Sequence, residues 1–121
     1  MDSAPTDAAG AATVYTAEPV TGKVVQYRYV PHGSTPLATG ADIDVTGEET
    51  GVVVVNQDNI GTAAFTKIPR QATHDETGAA SLYAAGGEPV EAPVVVAGER
   101  LKLVVAGGGD TLQGTFYFWV E

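Results

Sequence analysis

Several residue types are absent or scarce in this chain of 121 residues, which has no cysteine, two histidines, one methionine and one tryptophan. Without thiols it forms no disulfide framework, no thiolate nucleophile and no cysteine-ligated metal site. Leucine and isoleucine are also rare, with five and three residues. Since leucine is among the best helix formers, this scarcity disfavours a helical protein.

Basic residues are scarce as well. Six Lys and Arg face fifteen Asp and Glu, giving a formal net charge of −9 and a pI near 4.4. Nucleic-acid binding depends largely on Lys and Arg at phosphates, so this balance argues against it. The longest aliphatic run, residues 52–55, is too short to cross a bilayer. The acidic start, MDSAPTDAAG, lacks the basic residues of a secretory signal. We therefore expect no nucleic acid and no membrane among the partners.

The residues that are abundant favour β-structure. The chain has 17 valines and 14 threonines, and β-branched side chains suit a pleated surface. Alternating or apolar segments recur at short spacing, at residues 13–16, 20–30, 41–45, 52–55, 60–68, 94–96, 99–105 and 114–120. This pattern predicts a single all-β domain over 13–121, an antiparallel β-sandwich or jelly-roll-like barrel of seven or eight short strands. Residues 1–12 are small and polar, and are predicted to be a flexible N-terminal arm.

Individual segments carry more specific predictions. In residues 20–30, Val25, Tyr27 and Tyr29 alternate with polar residues, which indicates a strand with one wet face. Residues 52–55 do not alternate, which places them in the sandwich interior. Residues 107–110, GGGD, are predicted to be a flexible connector. The longest irregular part, residues 69–93, is predicted to be a loop with at most one helical turn at 79–84, and such long loops are often functional.

No motif supports an enzyme. His74, Asp75 and Glu76 are adjacent, and adjacent residues rarely converge on one ion, although a weak calcium site is an alternative reading of this loop. Asp42 and Asp44 share a strand face, where paired carboxylates usually form a solvated surface. The chain lacks a G-x-S-x-G sequence, and no Lys-Ser/Thr follows its glycine run. We therefore predict no catalytic residue, no cofactor and no metal.

The last segment, GTFYFWV at residues 114–120, is the most aromatic. On a strand, Phe116 and Phe118 share one face, and Tyr117 and Trp119 share the other. Only one pair can fill the core. The second pair is covered either by loops or by another subunit, since Trp and Tyr are favoured at interfaces.

Four blocks between Val14 and the C-terminus form a linear pattern. They are GKVV with RYV at 22–30, PRQATHD at 69–75, GAA with LYAAGG at 78–87, and LVV at 103–105 followed by glycines and GTF at 114–116. This pattern resembles a family of small proteins of tailed bacteriophages and prophages, encoded beside the major capsid protein. The central block is its most specific part.

The resemblance implies a virion structural protein, most plainly a cement or decoration protein on the capsid exterior. Its partner would be the major capsid protein, and it would form a homotrimer. The long loop and the last strand then supply the candidate interface residues, which are Arg70, His74, Tyr83, Tyr117 and Trp119. The alternatives are another head-completion or tail protein, and a carbohydrate-binding β-sandwich displayed on the virion.

Overall fold

The computed structural model describes residues 5–121, and this part of the chain consists of nine β-strands and connecting loops without a helix. It therefore contains no helix that could span a membrane. The strands are β1 (Ala12–Tyr15), β2 (Val20–Pro31), β3 (Asp42–Gly47), β4 (Val53–Gln57), β5 (Phe65–Lys67), β6 (Arg70–Ala72), β7 (Glu91–Glu99), β8 (Leu101–Ala106) and β9 (Gly114–Val120).

The strands form two antiparallel sheets. One has four strands in the order β1-β8-β3-β4, and the other has five, in the order β5-β2-β7-β6 with β9 also paired to β2. Because β9 occupies one edge of β2 from Val24 to Pro31, β7 and β5 share its other edge. One of the two sheets curls strongly into a half-barrel. The predicted all-β class, a β-sandwich or barrel, is confirmed, with nine strands instead of seven or eight.

The core lies between the two sheets. Its fully buried side chains come from the inward faces of β2, β3, β7, β8 and β9, with Leu37 from a loop. Valine is the most frequent type among them. The two aromatic rings, Tyr29 and Phe116, have centroids 5.0 Å apart. The largest members are Tyr29, Phe116, Leu37, Ile43, Leu101 and Leu103.

The pairings contain three register shifts, and those in β2 against β9 and in β4 change the alternation expected from the sequence. In β2 the pairing with β9 passes from Val24 directly to Gln26, so Val25 is an extra residue. As a result Val24, and not Val25, is buried together with Tyr27 and Tyr29. A bulge inserts one unpaired residue and so shifts the phase of every side chain on one side of it.

A second bulge explains the non-alternating valines at residues 52–55. Across β3 the pairing passes from Val55 to Val53, which leaves Val54 as the extra residue. Val54 and Val55 are both buried, whereas Val53 is 52 % exposed. The prediction of an interior strand is therefore wrong, because β4 is the edge strand of its sheet. The strand predicted over residues 60–68 is also reduced to the three residues of β5.

The segment predicted as a flexible arm is joined to the domain from Thr6 onward, while residues 1–4 lie outside the described residues. Thr6 is 3 % exposed, its N–H donates to the Leu112 carbonyl at 2.9 Å, and its hydroxyl donates to the Gly109 carbonyl. A Cβ on Gly108 would lie 3.0 Å from both Thr6 and Val105. The glycines that were predicted to be a flexible connector therefore form a close-packed turn. Their lack of side chains lets the N-terminal segment pack against this turn.

The buried hydroxyl of Tyr29 leads to a stability prediction. Within the described chain this hydroxyl has no hydrogen-bond partner of good geometry. Burial raises the pKa of Tyr29, and the nearby Leu37 backbone opposes this effect in part. The Tyr29→Phe variant is expected to change the free energy of unfolding by less than about 0.5 kcal/mol, because no good bond is lost. Tyr27 is the matched control. Its hydroxyl donates to Gln57 Oε1 at 2.5 Å, so Tyr27→Phe is expected to cost about 1 kcal/mol. Urea denaturation distinguishes the two, and equal losses would contradict this assignment.

Candidate functional site

The outer face of the five-stranded sheet carries two large exposed aromatic side chains. The pairing of β9 with β2 turns Phe116 and Phe118 towards the core. Tyr117 and Trp119 point outward and are 46 % and 45 % exposed. Their ring centroids are 6.1 Å apart with the rings inclined by 33°, so the two form one continuous surface.

Polar residues of β2 and β5 flank these rings. Arg28 lies directly opposite Tyr117, and Gln26 lies opposite Trp119. On the far side of Arg28, Thr66 is its partner in β5. We call this set of five residues the aromatic face. Trp, Tyr and Arg are the residue types that most often dominate the energy of protein interfaces.

The second exposed feature is the 73–90 loop, which connects β6 to β7. The Thr73 N–H and hydroxyl both donate to the Val90 carbonyl, at 2.8 and 2.9 Å. The Val90 N–H donates to Ser81, and the Ser81 N–H donates back to Thr73. The three segments around Thr73, Ser81 and Val90 are therefore bonded to one another in a closed ring, and residues 79–84 do not form the helical turn that was predicted as an option. Backbone bonding within the loop replaces the helical bonds.

The 73–90 loop displays apolar side chains to solvent. Tyr83 is 77 % exposed and Leu82 is 41 % exposed, and almost every other side chain of the loop is exposed as well. Hydrogen bonds hold the backbone of the loop in place, and neither Leu82 nor Tyr83 is part of the hydrophobic core.

His74 and Asp75 occupy a turn of the same loop. His74 is exposed and its backbone pairs with Ala80. Asp75 Oδ1 accepts bonds from the Thr77 hydroxyl at 2.7 Å, the Thr77 N–H at 2.9 Å and the Ala79 N–H at 3.0 Å. These bonds, that of the Thr77 hydroxyl first, lower the pKa of Asp75. The carboxylate thus shapes the turn, and within residues 5–121 no group of three or more His, Asp or Glu side chains is placed to hold a metal.

The five predicted interface residues fall into two separate groups. Tyr117 and Trp119 are on β9, whereas Arg70 begins β6 and leads into the loop that holds His74 and Tyr83. The order β9-β2-β7-β6 places these groups at opposite ends of the sheet. The chain therefore has two exposed surfaces that can contact different neighbours.

The acidic side chains of residues 41–58 lie mainly on and around the other sheet. Asp44 is exposed on β3, and Asp42 accepts a bond from the Asn59 N–H at 2.9 Å. Glu48 is paired with Arg100 by two bonds of 2.6 and 2.7 Å. This bidentate contact lowers the pKa of Glu48. Arg100 thus partly neutralises a stretch that contains no cation of its own.

Sequence reasoning missed two features. One is the buried carboxylate of Glu99, which the strand pattern of residues 99–105 did not distinguish from an exposed strand end. The other is an open cleft between β4 and the β5–β6 segment, described below. Both features depend on contacts between segments that are distant along the chain. The exposed Ile68, which precedes Pro69, is the residue of the cleft that a local pattern could have indicated.

Comparison with known proteins identifies no relative. The chain matches no protein-family model, no curated protein and no solved structure. The resemblance to phage head proteins therefore stays a hypothesis.

Proposed function

We propose that this protein is a capsid cement protein of a tailed bacteriophage, bound to the outer surface of the head and joining neighbouring major capsid subunits. The observation that carries the proposal is the presence of two exposed apolar surfaces, the aromatic face and the 73–90 loop, at opposite ends of one sheet. A protein that joins two subunits needs two such surfaces.

The chemistry of these surfaces suits protein contacts. Trp119, Tyr117 and Tyr83 offer large, rigid rings at low entropic cost, and Arg28 adds a charged anchor. The 73–90 loop and the aromatic face each offer a limited contact area. Repeated over a symmetric shell, many such contacts add as avidity. The net charge of −9 favours the outer surface over the DNA-filled interior.

Phage capsids assembled without this protein provide the test. Added wild-type protein is expected to bind them in a fixed ratio to the major capsid protein and to raise their resistance to heat. Trp119→Ser is expected to weaken attachment by about 2 kcal/mol or more, as is usual for a central interface tryptophan. Leu82→Ser/Tyr83→Ser should weaken attachment independently, because it alters the other surface. Binding is measured by gel densitometry of purified particles.

Tyr15→Ser is the matched control. Tyr15 is 38 % exposed on the outer face of the four-stranded sheet, where Arg100 covers its ring at 4.7 Å. This variant should attach normally. Unchanged heat resistance of particles after wild-type protein has bound would contradict the cement role, and a copy number far below that of the capsid protein would favour a connector or tail protein.

The Tyr117–Trp119 pair favours one second function, carbohydrate binding, because adjacent exposed rings can stack on sugars. In that case glycan binding should be lost in Trp119→Ser while attachment to particles remains. The same variant therefore separates the two functions.

A further inference from the structure

An open cleft of about 250 Å³ lies between the edge strand of the four-stranded sheet and the connection from β5 to β6 in the other sheet. Its walls are β4 on one side and the β5–β6 segment on the other, and Tyr27 forms its floor. The hydrogen bond from the Tyr27 hydroxyl to Gln57 ties β2 to β4 behind the cleft. The cleft is thus formed before anything binds, which reduces the entropic cost of binding.

The β4 wall is an unpartnered strand edge. Among the strands of residues 5–121, β4 pairs with β3 alone and is the last strand of its sheet. Its sequence, VVVNQ, contains no Lys or Pro, which are the residues that commonly protect such edges. Beyond the bulge at Val54, residues 55–57 pair regularly with β3, and Val55 and Asn56 line the cleft.

The opposite wall is apolar and positively charged. Two exposed apolar residues line the cleft, one from each wall. Ile68 is 62 % exposed and Val53, on β4, is 52 % exposed. Lys67 and Arg70 flank Ile68 and also line the cleft. Neither cation forms an ion pair with any residue of the described chain, although the Lys67 ammonium lies over the Phe65 ring, 5.5 Å from its centroid.

We propose that this cleft binds an extended acidic segment of a partner protein, which adds as a strand to the free edge of β4. Backbone bonds to β4 would hold the segment, one apolar side chain would cover Val53 and Ile68, and carboxylates would meet Lys67 and Arg70. The residues that line the cleft include these two cations and no carboxylate, so an acidic partner is favoured locally although the chain has a net charge of −9. This inference does not depend on the capsid role.

The probe for the test is a capped heptapeptide in which valine alternates with aspartate, titrated into ¹⁵N-labelled protein. Amide shifts are expected in β4 and in residues 67–70. The Lys67→Glu/Arg70→Glu variant is expected to weaken binding about tenfold or more, through loss of attraction and added repulsion. Lys23→Glu/Lys102→Glu makes the same change of net charge elsewhere and should leave the affinity nearly unchanged.

Two further peptides make the proposal falsifiable. The same peptide with alternate N-methylated residues cannot form a strand ladder and should not bind. A peptide with lysine in place of aspartate should not bind either. Equal binding of either peptide, shifts that map outside the cleft, or an equal loss in both protein variants would overturn the proposal. Circular dichroism and thermal unfolding of both variants show that each is folded.

Discussion

Replacing Phe116 with alanine is expected to lower the free energy of unfolding by about 3–5 kcal/mol. The Phe116 ring is completely buried and lies against Tyr29. Its loss removes apolar burial and leaves a cavity between two sheets that backbone hydrogen bonds hold in place, so the site can collapse only in part. Since domains of this size are stable by only about 5–15 kcal/mol, this one change removes a large share of the total.

The neighbouring residue is the matched control for this prediction. Tyr117 is adjacent in β9 but lies on the outer face, and Tyr117→Ala is expected to cost less than about 1 kcal/mol. Urea denaturation of the three proteins at one temperature measures both values. Similar losses in the two variants would contradict the register of β9 on β2, and with it the exposure of the aromatic face.

Glu99 is the second residue whose replacement should have a large effect. It is 3 % exposed, and Oε2 accepts the N–H groups of Glu49 and Thr50 at 2.9 and 2.8 Å. Oε1 accepts the Thr50 hydroxyl at 2.6 Å. These bonds, that of the Thr50 hydroxyl first, lower the pKa of Glu99. The carboxylate closes the turn between β3 and β4, and a Cβ on Gly47 would overlap it.

This lowered pKa makes stability depend on pH in a defined direction. In the unfolded chain a glutamate titrates near about pH 4.3. The stabilisation by charged Glu99 is therefore complete above that pH, and it is lost as the pH falls through the lower pKa of the folded state. The pKa of Glu48 is lowered as well, in this case by Arg100. Its contribution to stability is therefore lost over the same acidic pH range.

The Glu99→Gln variant tests this dependence. At neutral pH its melting temperature is expected to fall by several degrees, because the charge-assisted bonds to the turn weaken. In acid the difference from the wild type should shrink, since protonation removes the same charge from the wild type. Melting curves between neutral pH and about pH 3 measure this difference. Glu76→Gln alters an exposed carboxylate of the 73–90 loop and should follow the wild-type curve. A constant difference for Glu99→Gln at all pH values would contradict the assignment.

The local pattern predicted best where strands are regular. Along residues 41–45 and 99–105, strict alternation predicts that Ile43, Val45, Leu103 and Val105 face inward and that Asp44 faces outward. The four apolar residues are buried and Asp44 is exposed, so these predictions are confirmed. It failed where an extra residue enters a strand. At Val25 and Val54 the bulge is defined only by the partner strand, so no local signal in the valine-rich segments reveals it.

The candidate surfaces were predicted in part. The two-sided aromatic pattern of residues 116–119 showed that one pair would lie outside the core, and Trp119 and Tyr117 do so. The 73–90 loop was identified by its length, but its internal bonding was not. Thr73, Ser81 and Val90 are separated along the chain, and their mutual bonds depend on how β6 and β7 meet.

Composition was enough to predict the all-β class and to exclude thiol chemistry, because the propensities of valine and threonine and the lack of cysteine do not depend on distant contacts. Local alternation was enough to predict the two faces of β9, since side chains alternate along every regular strand. The bulges, the burial of Glu99 and the cleft beside β4 could be seen only in the folded chain. Each of these depends on which distant segments pair, and that choice is made by the packing of the whole core.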